Sequence, residues 1–282
     1  MTATRKGGCP WAPGRSGWGS WGRSTLSDLG KERAVELLNK VPEVTLAFWV
    51  IKIMSTTVGE TGADYLAVHV GLGRAITGGI MATLLVAALL LQFRSRQYVP
   101  SIYWLTVVLV SVVGTQITDA LTDGLDVSLY RSTAVFTALL TVIFAVWYWS
   151  ERTLSIQTIV TTRRELFYWA AILFTFALGT AAGDLATEAL GLGFNVGVLV
   201  FGLLIAVFAG AYYVGVNAVL TFWLAYILTR PLGASLGDLL SQARSYGGLG
   251  LGTAWTSIGF LVVITVLVTL LSKRTAQVSG RT

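Results

Sequence analysis

Apolar residues along this chain gather into runs of about 20, the length a helix needs to cross roughly 30 Å of hydrocarbon at 1.5 Å per residue. The runs cover residues 44–67, 71–92, 102–123, 128–150, 165–189, 194–215, 218–242 and 252–272. They predict an all-α polytopic membrane protein of about eight transmembrane helices. The boundary between the sixth and seventh runs is the tightest, with only Val216 and Asn217 between them. Polar residues inside the odd-numbered runs follow a fixed pattern. A Trp is followed after nine residues by Gly and after four more by Asp. The four copies are Trp49, Gly59, Asp64; Trp104, Gly114, Asp119; Trp169, Gly179, Asp184; and Trp223, Gly233, Asp238. Gly-Leu-Gly turns at 71–73, 191–193 and 250–252 suit tight reversals between antiparallel helices.

The four Asp residues are 55, 65 and 54 positions apart, with the longer interval at the basic loop 151–164. The chain therefore divides into a tail over 1–40, repeats over 41–98, 99–162, 163–217 and 218–272, and a tail over 273–282. Each repeat holds two spans, so every copy enters the membrane from the same side. These are parallel repeats, related by an axis along the membrane normal. Each Asp lies fifteen residues past its Trp, about 22 Å farther along the helix.

The pattern Trp-x9-Gly-x4-Asp, opened by the segment VPEVTLAFWVIKIMSTTVGETGADYL, resembles a family of bacterial and archaeal membrane proteins. That family is described by a repeat of about 60 residues whose function is unknown. The resemblance covers roughly residues 41–272, and the fourth copy departs from it at Arg230-Pro231. It implies four tandem two-helix repeats in a multi-spanning protein and brings no catalytic or binding residues.

Residues four apart share a helix face. Steps of four through each Asp trace polar lines: Lys52, Thr56, Glu60, Asp64; Ser111, Thr115, Asp119, Asp123; Thr180, Asp184, Glu188; and Arg230, Asp238, Gln242. A charge at the bilayer centre costs at least about 2.5–3.5 kcal/mol, so these lines are expected to face other helices or a wet cavity. Glu60, Asp64, Asp119, Asp123, Asp184, Glu188, Arg230 and Asp238 are the candidate pathway or ion-binding residues. Thr56, Thr115, Thr180 and Gln242 support them, and Asp126 adds to the acidic layer. The competing reading is structural, with the Asp residues capping helix ends or bonding neighbouring backbone. Pro231 removes a backbone donor and frees the carbonyl of Ile227, which predicts a break in the seventh helix. Arg230 is expected to pair with Glu60, and Lys52 to snorkel to the cytoplasmic interface. The glycines at 59, 114, 179 and 233 fit close helix packing better than gate hinges, and the four repeated Trp residues fit interface anchors.

Composition agrees with the membrane reading. Hydrophobic residues make up 54% of the chain and charged ones 12%, against about 25% charged in soluble domains. The net charge of +6 could suggest nucleic acid, but its distribution points elsewhere. Fifteen of twenty basic residues lie in the tails or in loops after even-numbered spans. Only Arg74, Arg131 and Arg244 lie in loops on the other side. This positive-inside bias places both termini in the cytoplasm of a bacterial cell, with the inner membrane as the setting. Trp147, Tyr148 and Trp149 fit an aromatic belt at that face. Residues 1–25 hold no apolar segment, so they are expected to be disordered and not a signal peptide. Residues 26–40 fit a short helix on the membrane surface. Cys9 stands alone, which excludes a disulfide within one chain.

Enzyme chemistry finds little support. Residues Gly233 to Gly237 match the nucleophile-elbow spacing, but that motif needs a strand-to-helix turn. Ser235 corresponds to Thr61, Gln116 and Ala181 in the other copies, and His69 is the only histidine. No cofactor is expected. One His and one Cys rule out haem held by two histidines and Cys-rich clusters, while a hard cation on oxygen ligands stays open and no metal is named. The leading expectation is a small transporter or channel for a cation or proton. The competing one is a membrane scaffold whose buried charges serve packing.

Overall fold

The computed structural model describes residues 38–66, 70 and 73–279. The disordered tail expected over 1–25, nearly all of the surface helix expected over 26–40, His69 and Gly71 lie outside the described residues. Eight α-helices follow one another: α1 Leu46–Asp64, α2 Gly73–Arg94, α3 Pro100–Thr122, α4 Leu129–Glu151, α5 Thr162–Asp184, α6 Gly193–Tyr213, α7 Ala218–Ser241 and α8 Thr253–Ser279. The described residues contain no strand. The last helix runs on to Ser279 instead of ending near 272.

Local chemistry sets the helix ends. Thr45, Thr161 and Asn217 each accept a backbone N–H of the first turn from the N-cap position, which satisfies donors the helix cannot. Pro100 opens α3, where its missing N–H costs nothing. Both glycines of the 191–193 and 250–252 turns take positive φ, between 69° and 81°, a region closed to most side chains.

Seven helices are long and apolar enough to cross a membrane. The remaining one, α1, carries Lys52, Glu60 and Asp64 within 19 residues. It is also among the best enclosed. The four odd-numbered helices close into a ring, with α1 on α3, α3 on α5, α5 on α7 and α7 back on α1. The even-numbered helices pack outside this ring. Within an 18-residue apolar stretch of each helix, 61–67% of residues are buried for α3, α5 and α7, against 11–22% for the even helices.

The hairpins expected from the turn signals are not the packing units. Each even helix packs chiefly on the odd helix of the next copy: α2 on α3, α4 on α5, α6 on α7, and α8 on α1. The residue twelve past each Trp makes these seams. Thr61 meets Ser257 of α8 at 2.7 Å, Gln116 faces Gly78 of α2 and Ser235 faces Gly197 of α6. Phe136 of α4 shares a buried apolar cluster with Ala177 and Ala181 of α5. The last helix thus closes the ring on the first. Because Ser257 meets Thr61 near the Asp end, α8 starts there and finishes at the Trp end, where α1 begins. The segment before α1 is tied to α5 by a buried ion pair, Lys40 Nζ to Glu165 Oε2 at 2.7 Å.

Candidate functional site: the axis of the helix ring

Equivalent positions of the four odd helices form successive levels around one axis. The Trp level is an aromatic collar. Each repeated Trp is preceded by Phe or Tyr, and that ring packs on the Trp of the next odd helix: Phe48 on Trp104 (5.5 Å between centroids), Tyr103 on Trp169 (5.5 Å), Tyr168 on Trp223 (6.3 Å) and Phe222 on Trp49 (5.7 Å). The hydroxyls of Tyr103 and Tyr168 are hydrogen-bonded at 2.5 Å. Trp104, Trp169 and Trp223 are buried, so they are collar residues and not interface anchors; Trp49 is partly buried. The convergence of four helices gives these large rings more apolar contact inside than at a rim. The indole N–H of Trp223 donates to the carbonyl of Leu154 at 3.0 Å. Of the belt residues, Trp147 likewise turns inward and stacks on Phe167, while Tyr148 and Trp149 face out.

One turn deeper lies Lys52. It does not snorkel. Its side chain is 1% exposed, and its ammonium sits 3.8 Å from the centre of the Phe176 ring and 4.3 Å from that of Tyr226. Helices α3, α7 and α8 flank α1 and leave the amine no path to the rim. No ion pair involves Lys52 among the described residues. A desolvated cation–π contact is worth about 2 kcal/mol, less than the several kcal/mol that removing an ammonium from water costs.

The next levels explain the glycines. The residue seven past each Trp packs on the glycine of the preceding odd helix: Ser111 on Gly59, Phe176 on Gly114, Arg230 on Gly179 and Thr56 on Gly233. A β-carbon at any of these glycines would fall within 2.5–2.6 Å of the partner's β-carbon. The missing side chain is what lets the helices approach.

Arg230 fills the centre. It is 1% exposed, and its Nη2 donates to Glu60 Oε2 at 2.6 Å and to the hydroxyl of Thr115. Its Nη1 donates to the carbonyl of Thr56 at 3.4 Å. The break expected at Pro231 is absent, and α7 runs uninterrupted through it. Neighbouring helices accommodate the proline and cross-link the turns beside it. The proline ring packs against Gly179 and Gly183. The carbonyls of Thr229 and Gly233 accept the hydroxyls of Thr56 (3.2 Å) and Thr57 (3.0 Å) across the α1–α7 seam. Thr180 spends its hydroxyl on the Phe176 carbonyl of its own helix.

Asp64, Asp119, Asp184 and Asp238 are half-buried at the far end, and each has Glu60 among its charged neighbours. Asp64, Asp119, Arg74 and Gln116 line a cavity of about 10 Å³, room for roughly one water. Two predicted members are exposed at the edge of the axis, with Glu60 among the charged neighbours of Glu188, and Asp123 among those of Asp64 and Asp119. Asp123 is the C-cap of α3, so the helical step of four ends before it; it is exposed and pairs with exposed Arg74 at 2.8 Å. Glu188 is exposed because a π turn over Leu185–Ala189 follows Asp184, and the extra residue rotates Glu188 off the line. Asp126 is exposed in the loop at positive φ. Gln242 is the half-buried C-cap of α7. Among the described residues no three His, Cys, Asp or Glu are arranged to hold a metal.

Three features went unread in the spacing. The aromatic before each Trp was visible as a repeated Phe-Trp or Tyr-Trp pair at 48–49, 103–104, 168–169 and 222–223. Lys52 and Tyr226 stand at the same offset from their Trp residues, which places both on the axis. Gln116, whose two amide atoms are buried without partners, carried no signal, because its position differs in every copy.

No curated protein and no solved structure matches the chain. Residues 47–98, 102–153, 167–215 and 221–276 each match a repeat of unknown function (DUF347), together well over half of the chain, and the protein belongs to that repeat family.

Proposed function

We propose that this chain is a multi-pass protein of the bacterial inner membrane that moves protons or a small cation along the axis of its helix ring, with no catalytic step and no cofactor. The observation that carries this reading is the convergence of four half-buried aspartates on Glu60, which holds Arg230 in the centre. Ionisable groups enclosed at membrane depth are functional more often than ornamental. The even helices supply the lipid-facing wall. The basic-loop bias puts the Trp end in the cytoplasm, so the aspartates form the outer mouth and the collar closes the inner end.

The test is flux. Purified protein is reconstituted into liposomes with a trapped pH dye, and a potassium gradient with valinomycin sets the membrane potential. The wild type dissipates the imposed proton gradient. Glu60→Gln and Asp119→Asn fall to the rate of protein-free liposomes while keeping their helical content. The same vesicles are challenged with a panel of mono- and divalent cations. Equal rates for wild type, variants and empty vesicles across the panel would overturn the proposal.

A scaffold remains the second reading. It is favoured by the tight register of the ring, in which four glycine contacts and the Thr56, Thr57 and Thr118 cross-links to neighbouring carbonyls fix the odd helices. It predicts silent vesicles and charges that matter only to stability.

A further inference from the structure

Five carboxylates share the ring with two enclosed cations: Glu60, Asp64, Asp119, Asp184 and Asp238 against Lys52 and Arg230. Arg230 is taken by Glu60, and among the described residues none of the four aspartates has an ion-pair partner. Uncompensated carboxylates in a partly buried site take up protons or a cation. The structure leaves room for a cation at one seam. Asp64 of α1 and Asp119 of α3 line one cavity of about 10 Å³ with Ala63, Gln116 and Arg74, the space of roughly one water. Gln116 stands one turn before Asp119 on the same face of α3, and both polar atoms of its amide are buried without a partner. A buried carbonyl oxygen left unpaired is costly, and a cation in this cavity would satisfy it. No other copy carries this amide. The equivalents of Gln116 are Thr61, already bonded to Ser257, and Ala181 and Ser235. Arg74 does not fill the role. Its guanidinium is engaged by Asp123 at 2.8 Å and its side chain is 60% exposed, so water screens its charge.

We infer that this cavity binds one bare alkali cation of sodium size, held by the carboxylates of Asp64 and Asp119 and by the Oε1 of Gln116. The inference rests on the proposed pathway for its role and names the ion that enters it, while binding itself needs no flux. Coordination chemistry selects the ion. Two carboxylates and one amide offer at most about five oxygens, fewer than the six to eight that Ca²⁺ takes. Mg²⁺ gives up its waters reluctantly, and a space for about one water cannot hold them. A monovalent ion sheds its hydration more readily and accepts a partial shell. Having two carboxylates here and not three agrees with a single charge. Because the amide stands in one copy of the four, the chain holds one such site despite its fourfold repeat.

The experiment measures cation-dependent melting of the full chain in detergent. Sodium chloride is compared with potassium chloride and choline chloride at equal ionic strength, which removes general salt effects. The wild type is expected to melt at higher temperature in sodium, with a saturable dependence on concentration, as for any ligand that binds only the folded state. Asp119→Asn keeps the shape of the side chain, removes one charge and should lose the sodium dependence. Gln116→Leu keeps most of the volume and removes the amide. It should raise the half-saturating concentration about tenfold, the worth of one polar contact to a charge. Radiolabelled sodium in equilibrium dialysis should count one ion per chain in the wild type and none in Asp119→Asn. If Asp119→Asn does not fold, the Gln116→Leu shift decides alone. A wild type indifferent to sodium overturns the site and leaves protons as the compensating charge. An unchanged half-saturation in Gln116→Leu, or an Asp119→Asn protein that keeps the wild-type response, overturns it as well. A potassium effect equal to that of sodium overturns the assignment of size, and saturation by calcium or magnesium at lower concentration overturns that of a single charge. Sodium binding by a protein that moves no ion in liposomes would keep the site and remove the pathway; flux without sodium binding would do the reverse.

Discussion

Arg230 and Glu60 face each other 170 residues apart in sequence, in contact at 2.6 Å, and neither has a second ion-pair partner among the described residues. Truncating one member of such a pair strands the other charge, which costs about 3–5 kcal/mol when burial is complete. Glu60 retains 13% side-chain exposure, so the lower end of that range applies. Arg230→Ala is therefore expected to lower stability by about 3 kcal/mol, and Glu60→Gln to restore part of that loss in the double mutant by removing the orphaned carboxylate. Melting of the wild type, both single variants and the double variant checks this. Additive effects would mean the two side chains do not act on each other, because partners in contact couple. This pair was legible in the sequence because an arginine at membrane depth must find a carboxylate, and Glu60 was nearest its level. The direction of Lys52 was not. Snorkelling assumes a free path along the helix surface, and only the three-dimensional enclosure of α1 removes that path. Asp123 and Glu188 are more exposed than the four repeated aspartates for a local reason. The step of four holds only while the α-helix lasts, and it ends in a C-cap at one and a π turn at the other.

At the scale of helices, the two classes of glycine behave oppositely. Gly114 meets the β-carbon of Phe176 and the backbone of Ala177, whereas Gly202 on the outer face of α6 has nothing within 4 Å of an added β-carbon. Gly114→Ala should force α3 and α5 apart and cost about 1–3 kcal/mol, the usual cost of overpacking. Gly202→Ala should be neutral, or stabilise by up to about 1 kcal/mol through helix propensity. Unfolding titrations of the two variants in mixed micelles separate these cases; equal effects would mean the ring does not depend on close approach. The number of helices and the enclosure of the odd ones were readable from the apolar runs and their polar lines, since a charged stripe has to be shielded. The partner of each even helix was not readable. Turn signals report where the chain reverses. They do not report that α2 then leans on α3, a choice made by small and hydroxylic residues at an offset that varies from copy to copy. The unbroken α7 was hidden for a similar reason. A proline's cost depends on what surrounds it, and Gly179 and Gly183, against which the Pro231 ring packs, lie on another helix.

For the molecule as a whole, cyclic closure leaves two unlike faces. The Trp end receives the start of α1, the end of α8, the 95–99 connection and the loop over 152–161, which carry Lys40, Arg94, Arg96, Arg152, Arg163 and Arg164 in or beside them. The Asp end carries Arg74, Arg131 and Arg244 against Glu60, Asp64, Asp119, Asp123, Asp126, Asp184, Glu188 and Asp238. Basic residues in short loops resist translocation, while acidic ones contribute little, so the Trp end is expected to stay in the cytoplasm with both termini. Single cysteines introduced into a Cys9→Ser background report this. At positions 96 and 157 they should react with a membrane-impermeant maleimide only after lysis of the cells. At 126 and 246 they should react in intact cells. Asp126 and Tyr246 both lie exposed in the connections at the Asp end, so packing does not limit reagent access at either site. The reverse labelling pattern would turn the aspartate mouth toward the cytoplasm and reverse the direction assigned to the axis. Labelling of 126 and 157 from the same side would be more serious. It would take α4 out of the membrane and break the equivalence of the four copies, on which the shared level of the aspartates rests.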